Sequence, residues 1–152
     1  MGIRDDALEI RTQGWRTLAA LHGMIEAGLE KALQAGAQLS VVEFTVLDAL
    51  NRQDGWHMRM QQLGRATALS PSATTRLVNR LEDRGLLTRI LCQDDRRGIY
   101  TELTESGSAL LHRARPVHDE ALECALAEAE QLPELAQLVQ ALPQLHAGVT
   151  SR

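Results

Sequence analysis

The sequence predicts a mainly α-helical fold that carries one small β-hairpin. Residues that favour helices, such as Ala, Leu, Glu, Gln and Arg, are abundant along the 152-residue chain. Aromatic residues make up only 3% of the chain, so aliphatic side chains must fill the core. Strand-like composition appears at residues 86–103, where a charged turn separates two short stretches. The length favours one domain, residues 1–152, with a core of its own.

A long amphipathic helix is predicted near the N-terminus, over residues 8–36, with Gly36 as its stop signal. Its apolar side consists of residues spaced three and four apart: Trp15, Leu18, His22, Ile25 and Leu29. Little sequence precedes this helix to cover that side. We therefore expect a second copy of the chain to pack against it.

Two shorter helices are predicted next. Ser40 opens an S-x-x-E capping box, which marks the start of the second helix. Residues 56–58 form a short extended link. The third helix follows over residues 61–68, with Leu63 and Ala66 predicted to face inward.

The fourth helix has the strongest start signal in the chain. Ser70 is the N-cap, and Pro71 occupies the first helical position, where its missing N–H costs nothing. The helix is predicted to run to about Arg84, with Gly85 just beyond its end. The residues predicted to face inward are Thr74, Leu77, Val78 and Leu81, and those predicted to face outward are Ser72, Thr75, Arg76, Asn79 and Arg80.

The outward face of the fourth helix combines small polar residues with arginines. Such a face fits the major groove of DNA, where arginine and amide side chains recognise base edges. The helix N-terminus at Ser70 is the positive end of the helix dipole and favours a nearby phosphate. We therefore predict that this helix binds double-stranded DNA.

A β-hairpin is predicted from strands at residues 86–92 and 99–103. The loop between them contains Asp95, Arg96 and Arg97. A hairpin with two arginines at its tip, directly after a helix-turn-helix, is typical of a wing that reaches the DNA backbone or minor groove. A solvated hairpin end is the alternative interpretation.

Positive charge is concentrated in the central segment. Residues 58–97 contain eight of the chain's 16 Lys and Arg residues against four acids, which gives this segment a charge of +4. The whole chain has a charge of −4, so the remainder must carry −8. One basic segment in an acidic protein indicates a polyanionic partner.

The C-terminal third is again helical. Thr104 is a suitable cap for a long helix, and Pro133 marks the start of a final short one. Like the first helix, these segments have apolar faces that a small central module could not cover alone. We predict a DNA-binding lobe at residues 40–104 and a helical dimerisation layer at residues 8–36 and 105–146.

Other classes of protein find no support in the sequence. The chain has no phosphate-binding loop, no nucleophile motif and no Cys or His spacing typical of a metal site, so we expect neither an enzyme nor a cofactor. No apolar run approaches the roughly 18 residues needed to cross a bilayer, and we expect no membrane contact and a cytoplasmic location. Cys92 and Cys124 are interpreted as small apolar residues, although a redox-active thiol stays open.

The central half of the chain resembles the MarR family of winged helix-turn-helix regulators. The residues that carry the resemblance are Leu39-Ser40, Phe44, Val46-Leu47, Leu63, Leu69-Ser70-Pro71-Ser72, Thr75-Arg76-Leu77-Val78, Arg80-Leu81-Glu82, Gly85-Leu86, Asp95-Arg96-Arg97, Leu103-Thr104 and Gly107. The order and spacing of these motifs together are far more specific than any one of them. Gly64, where Ala is usual, departs from the pattern and is expected to loosen the third helix slightly.

The resemblance implies a symmetric dimer on a pseudo-palindromic operator, acting as a transcriptional regulator and most often as a repressor. It implies that Arg76 reads a base, with Ser72 and Thr75 as neighbouring groove contacts. It also implies that Arg97 enters the minor groove and that Asp95 orders the wing.

Many relatives are released from DNA by a small aromatic or anionic effector. Candidates to line such a pocket are Trp15, Arg16, His22 and His57, for which a place in the core or in a subunit interface is the competing interpretation. Two other functions stay open. One is a regulator that responds to redox state or pH through Cys or His. The other is a winged-helix module that binds protein rather than specific DNA.

Overall fold

The computed structural model describes residues 3–91 and 98–146. The elements in chain order are α1 (Ile3–Ala37), α2 (Val41–Asn51), β1 (His57–Arg59), α3 (Met60–Thr67), α4 (Pro71–Asp83), β2 (Leu87–Leu91), β3 (Ile99–Leu103), α5 (Glu105–Glu130) and α6 (Pro133–Ala141). The predicted fold class is confirmed: the described chain is mostly helical, with a small antiparallel sheet. None of the helices in these two ranges is both long enough and apolar enough to cross a membrane.

The sheet has three strands in the order β1-β3-β2, one more than the predicted hairpin. β2 and β3 pair as predicted, with Leu87 opposite Leu103 and Leu91 opposite Ile99. The segment predicted as an extended link instead supplies β1, in which Met58 lies opposite Thr101. The Thr101 hydroxyl also donates to the Met58 carbonyl at 3.1 Å. Three residues are too few to show an alternating pattern, so this strand had no sequence signal of its own.

The end of α1 differs from the prediction. The helix continues through Gly36 to Ala37, and Gln38, with φ 55°, takes the left-handed conformation beyond it. The Leu39 N–H then donates to the Leu33 carbonyl at 3.3 Å and closes the helix. A Cβ at Gly36 would lie 3.0 Å from Val117 Cγ1, so this glycine serves close packing against α5 rather than helix termination.

The helix-turn-helix is formed by α3 and α4. Leu63 and Gly64 are the buried residues of α3, whereas Ala66 is exposed, so the prediction that Ala66 faces inward was wrong. A Cβ at Gly64 would lie only 3.1 Å from Thr74 Oγ1 of α4. The bare α-carbon therefore lets the two helices approach each other closely, which gives this departure from the usual Ala a packing role.

The chain forms two compact units. One consists of residues 32–118 and contains the sheet together with α2, α3 and α4. Its fully buried side chains include Leu33, Leu39, Leu47, Leu50, Leu63, Leu81, Leu87 and Leu111. Its core is therefore almost entirely aliphatic, as the low aromatic content predicts.

The second unit consists of the start of the chain through Lys31 and the residues from Asp119 onward. Its core is a small cluster of Leu21, Ala129 and Leu135, against which Met24, Ile25, Leu138 and Val139 pack. Both α1 and α5 contribute residues to each unit. The predicted division into a lobe at residues 40–104 and a dimerisation layer on either side remains a prediction.

Gly107, in the first turn of α5, offers a test of packing in the larger unit. An Ala at this position is expected to destabilise the protein by about 1–3 kcal/mol, because its methyl group would overlap the Leu86 carbonyl and lie 2.7 Å from Leu103 Cδ1. Urea unfolding followed by circular dichroism at fixed protein concentration measures the change. Gly23→Ala is the control: no described heavy atom lies within 4 Å of its added Cβ, so stability should rise by up to ~1 kcal/mol. Equal unfolding midpoints for the two variants would contradict the packing argument.

Candidate nucleic-acid interface

The start of α4 is fixed by hydrogen bonds at Ser70. The Ser70 Oγ accepts a hydrogen bond from the Ala73 N–H at 3.2 Å, which makes Ser70 the N-cap, and Pro71 occupies the first turn. The Thr74 hydroxyl donates to the Ser70 carbonyl at 2.9 Å. The predicted helix start is therefore confirmed. Ser70 itself remains exposed beside the N-terminal end of the helix.

The burial pattern of α4 determines which side chains it presents. The four residues predicted to face inward are the buried residues of this helix: Thr74, Leu77, Val78 and Leu81. The five predicted to face outward are all exposed: Ser72, Thr75, Arg76, Asn79 and Arg80. The prediction of the two faces is confirmed, while contact of the outward face with DNA remains a prediction.

Arg76 and Arg80 lie one helical turn apart on the exposed face. Neither forms an ion pair within residues 3–91 and 98–146, so both guanidinium groups can bind an external anion. The Thr75 hydroxyl, directly before Arg76, donates to the Pro71 carbonyl at 3.0 Å. In the conformation observed, this hydroxyl can therefore act towards a base only as an acceptor, whereas Arg76 and Arg80 supply donors.

The end of α4 is held by contacts that the sequence did not indicate. Arg84 is the C-cap, and its Nη1 donates to Glu43 Oε2 of α2 at 2.7 Å. Glu82 Oε2 accepts a hydrogen bond from the Arg89 N–H of β2 at 3.1 Å. Gly85, with φ 72°, takes the left-handed conformation predicted for it. The partner of Arg84 lies 41 positions away and that of Glu82 lies seven positions away, each in another element, so no motif within α4 revealed either contact.

The wing is described only in part. β2 and β3 form the two arms of the predicted hairpin, and Leu91 and Ile99 at their outer ends are exposed. The predicted contacts Arg96 and Arg97, the wing-ordering Asp95 and the thiol of Cys92 lie outside the described residues. Within those residues, Nε and Nη2 of Arg89 are buried and have no hydrogen-bond partner.

A further arginine stands at the edge of the sheet. Arg59 Nε donates to the Tyr100 hydroxyl at 3.0 Å, and its guanidinium carbon lies 5.4 Å from the centre of the Tyr100 ring. The ring of His57 meets Tyr100 edge-on at 5.4 Å. Tyr100 therefore holds Arg59 in one place, in an arrangement that only the pairing of β1 with β3 creates.

A groove lies between the two helices of the helix-turn-helix. Its volume is about 490 Å³, and its lining is mostly apolar. The residues that line it are Met60, Gln61, Gly64, Arg65, Ala68, Leu69, Pro71, Thr74 and Thr75. The groove therefore opens beside the outward face of α4 and is bordered there by Thr75.

The four residues predicted to line an effector pocket are all exposed. Trp15, Arg16 and His22 lie on α1 in the smaller unit, where His22 Nε2 is 3.5 Å from Glu26 Oε1. His57 lies on β1 in the larger unit. A second cavity of about 410 Å³ is lined by Gly14, Thr17, Glu134, Gln137, Leu138 and Ala141, so none of the four lines either cavity. Their role in binding an effector remains a prediction.

The described residues bear on metal binding and show the environment of one of the two cysteines. Residues 3–91 and 98–146 hold no group of three His, Cys, Asp or Glu side chains placed to bind a metal ion. Cys124 is a free, exposed cysteine on α5. The interpretation of Cys124 as a small apolar residue and the alternative of a redox-active thiol both remain predictions.

Comparison with known proteins finds relatives that match the central part of the chain. Residues 37–98 match the family model described as MarR family. The chain is 31% identical over 105 residues to the HTH-type transcriptional regulator PecS of Dickeya dadantii, covering 68% of this chain and 63% of that protein. It is 34% identical over 80 residues to the HTH-type transcriptional regulator MhqR of Bacillus subtilis, covering 53% and 54%. The chain thus spans less than two thirds of the length of these curated relatives.

Solved structures extend the similarity over most of the chain. A MarR family transcriptional regulator from Streptomyces coelicolor, solved in complex with DNA, superposes with a TM-score of 0.73 at 26% identity and covers 90% of this chain and 86% of its own. AbsC, another MarR family regulator from that organism, gives a TM-score of 0.71 at 29% identity and covers 89% and 93%. The relatives found are transcriptional regulators, which are not enzymes.

The cap of α4 offers a direct test of how the surface is built. Ser70→Ala is expected to lower the free energy of unfolding by about 1 kcal/mol, because the Ala73 N–H would lose its acceptor. Ser72→Ala is the matched control: the only contact of its hydroxyl within the described chain is with Ser70 Oγ at 3.4 Å, and stability should hardly change. Urea titrations of the two variants make the comparison. A Ser72→Ala variant as unstable as Ser70→Ala would show that the capping hydrogen bond is not the cause.

Proposed function

The chain belongs to the MarR family, and from that premise we propose that it is a sequence-specific DNA-binding transcriptional regulator. It acts as a homodimeric repressor on a pseudo-palindromic operator. Because the proposed partner is DNA, the proposed location of the regulator is the cytoplasm. We propose no enzymatic activity for this chain.

The observation that carries the proposal is the exposed face of α4. This face is exposed, and its two guanidinium groups form no ion pair within the described chain. Its first turn also presents the positive end of a 13-residue helix, where backbone N–H groups can meet a phosphate. Two arginines beside the positive end of a helix favour a polyanion such as DNA as the partner of this face.

Each side chain of this surface has a proposed role. Arg76 reads a base in the major groove, where a guanidinium can bind the two acceptors of guanine. The other groove or backbone contacts are Ser70, Ser72, Thr75, Asn79 and Arg80. Arg96 and Arg97 extend the contact through the wing, with Arg97 in the minor groove and Asp95 ordering the loop.

Support for a homodimer comes from the apolar side chains that α1 leaves exposed. Leu8, Ile10, Trp15 and Leu18 are 61%, 72%, 66% and 46% exposed, respectively. Large apolar residues concentrated on one helix mark a surface that a partner covers. A second copy of the chain is the occupant we propose, because a pseudo-palindromic operator requires two reading helices related by symmetry.

A small aromatic or anionic effector completes the proposal. Trp15, Arg16, His22 and His57 are the residues we assign to it, on the strength of the resemblance. The exposure of Arg16, His22 and His57 makes these three side chains accessible to a ligand. The test is to titrate a panel of aromatic carboxylates into the protein–operator complex. Failure of every member to release DNA would count against the proposed effector.

Arg76→Ala and Arg97→Ala are each expected to abolish specific binding and leave the fold intact, because each removes a guanidinium proposed to contact a base or a groove. The operator is first recovered by sequencing the DNA that the protein binds in cells. Affinity for that operator and for an unrelated fragment is then measured by fluorescence anisotropy. We expect the specific affinity to fall by at least about tenfold towards the non-specific value.

Arg113→Ala provides the matched control, since Arg113 is an exposed arginine on α5 with no ion pair in the described chain. Its affinity should stay near wild type.

The wild-type affinity itself should fall by ~10³ or more between low and moderate salt if about six or more phosphates are neutralised. Wild-type affinity in either Arg76→Ala or Arg97→Ala would overturn its assignment, and the absence of any operator would overturn the proposal.

The dimer is tested by Trp15→Glu. A carboxylate on the exposed apolar side of α1 should weaken self-association by at least about tenfold, because a buried unpaired charge is costly to desolvate. Sedimentation velocity over a range of micromolar concentrations measures the change, and operator affinity should fall with it. A wild-type chain that sediments as a monomer at every concentration would rule out the homodimer.

A further inference from the structure

The last turn of α4 is tied to α2 by an ion pair between Glu43 and Arg84. Arg84 Nη1 lies 2.7 Å from Glu43 Oε2. The Glu43 side chain is only 14% exposed and the Arg84 side chain 36%, so the carboxylate is largely shielded from water. Charge-assisted hydrogen bonds of this length are stronger than neutral ones, and burial limits their screening by salt.

Both partners are themselves held in place. The Glu43 N–H donates to Ser40 Oγ at 3.1 Å, which fixes the first turn of α2, where an acidic side chain also suits the helix dipole. Arg84 is the C-cap of α4, and its N–H donates to the Arg80 carbonyl at 3.2 Å. The ion pair therefore joins a fixed point on α2 to the end of α4.

We propose that the Glu43–Arg84 ion pair is a positioning device for the DNA-reading helix, and that Glu43 contributes to operator affinity without touching DNA. The proposal rests on the function proposed above. A helix rises about 1.5 Å per residue, so Arg84 lies about 12 Å along the axis from Arg76. A small shift where Arg84 is held would change where Arg76 and Arg80 enter a groove, and recognition tolerates little misplacement.

A competing interpretation of Arg84 follows from its spacing. Arg76, Arg80 and Arg84 recur at every fourth residue, so Arg84 could be a third arginine that contacts phosphate. The structure instead directs its guanidinium to a carboxylate on another helix. The two interpretations make opposite predictions for Glu43, and that difference decides between them.

Removal of the Glu43 charge separates the two interpretations. If Arg84 contacts phosphate, Glu43→Gln frees the guanidinium and removes a negative charge near DNA, so operator affinity should stay the same or rise. If the pair positions α4, the same change should weaken binding. The sign of the effect is therefore informative whatever its size.

The experiment measures operator affinity at several salt concentrations for Glu43→Gln, Arg84→Gln and the double variant. We expect Glu43→Gln to weaken binding about threefold to tenfold and Arg84→Gln by a similar factor, from the loss of one charge-assisted hydrogen bond. The double variant should be no weaker than the weaker single variant, because both changes remove one shared interaction. The slope of log affinity against log salt should match wild type in all three.

Asp83→Asn is the matched control. Asp83 is an exposed acid in the last turn of α4 and has no partner in the described chain. This variant removes the same charge close to the same place, and its affinity should be unchanged or slightly higher. Circular dichroism and stoichiometric titration establish the folded, active fraction of each variant, so that loss of fold is not mistaken for loss of positioning.

Each outcome is decisive. Wild-type affinity in Glu43→Gln, an equal loss in Asp83→Asn, or a salt slope lower by ~0.9 in Arg84→Gln would overturn the inference, the last because it marks a lost phosphate contact. Failure of the wild-type chain to bind any operator would instead overturn the proposed function, so the two failures are distinguishable.

Discussion

Burial of one stripe of α4 is the constraint on which the candidate interface depends. Thr74, Leu77, Val78 and Leu81 are at most 3% exposed. An α-helix repeats every 3.6 residues. Because these four positions are fixed in the core, the positions between them must face outward. The reading face is thus specified by residues that never touch DNA. Its arginines and small polar residues occupy positions that packing leaves free.

Burial fixes the rotation of α4 about its own axis, and contacts at the two ends of the helix fix its position. Ser70 caps the first turn, and the Leu86 N–H, beyond Gly85, donates to the Leu81 carbonyl at 3.0 Å and closes the last. Gly64 lets α3 pack closely against Thr74, since a Cβ there would lie only 3.1 Å from Thr74 Oγ1. Burial sets which side faces out, and the caps and close packing set where that side lies. Recognition of a groove needs both.

The sequence allowed prediction of what short-range physics determines. The N-cap at Ser70, the left-handed Gly85, the buried stripe of α4 and the pairing of β2 with β3 all follow from neighbours a few residues apart. Features that depend on remote partners escaped prediction. β1 forms because it pairs with β3. Gly36 resembles a helix stop signal in the sequence, but in the structure it allows close packing against Val117. The ion pair of Arg84 with Glu43 joins residues 41 positions apart, so the helical periodicity of the sequence could not predict it.

The distribution of charge gains meaning from these contacts. Counting residues gives the segment 58–97 a charge of +4, as though its arginines were equivalent. Within the described chain they are not: Arg84 is bound to a carboxylate and Arg59 to Tyr100, while Arg76 and Arg80 are unpaired. A polyanion is attracted by the whole segment at a distance, but among its arginines those without an intramolecular partner are the ones free to bind it closely. Net charge therefore governs encounter, and the intramolecular pairing of each arginine decides where a polyanion is held.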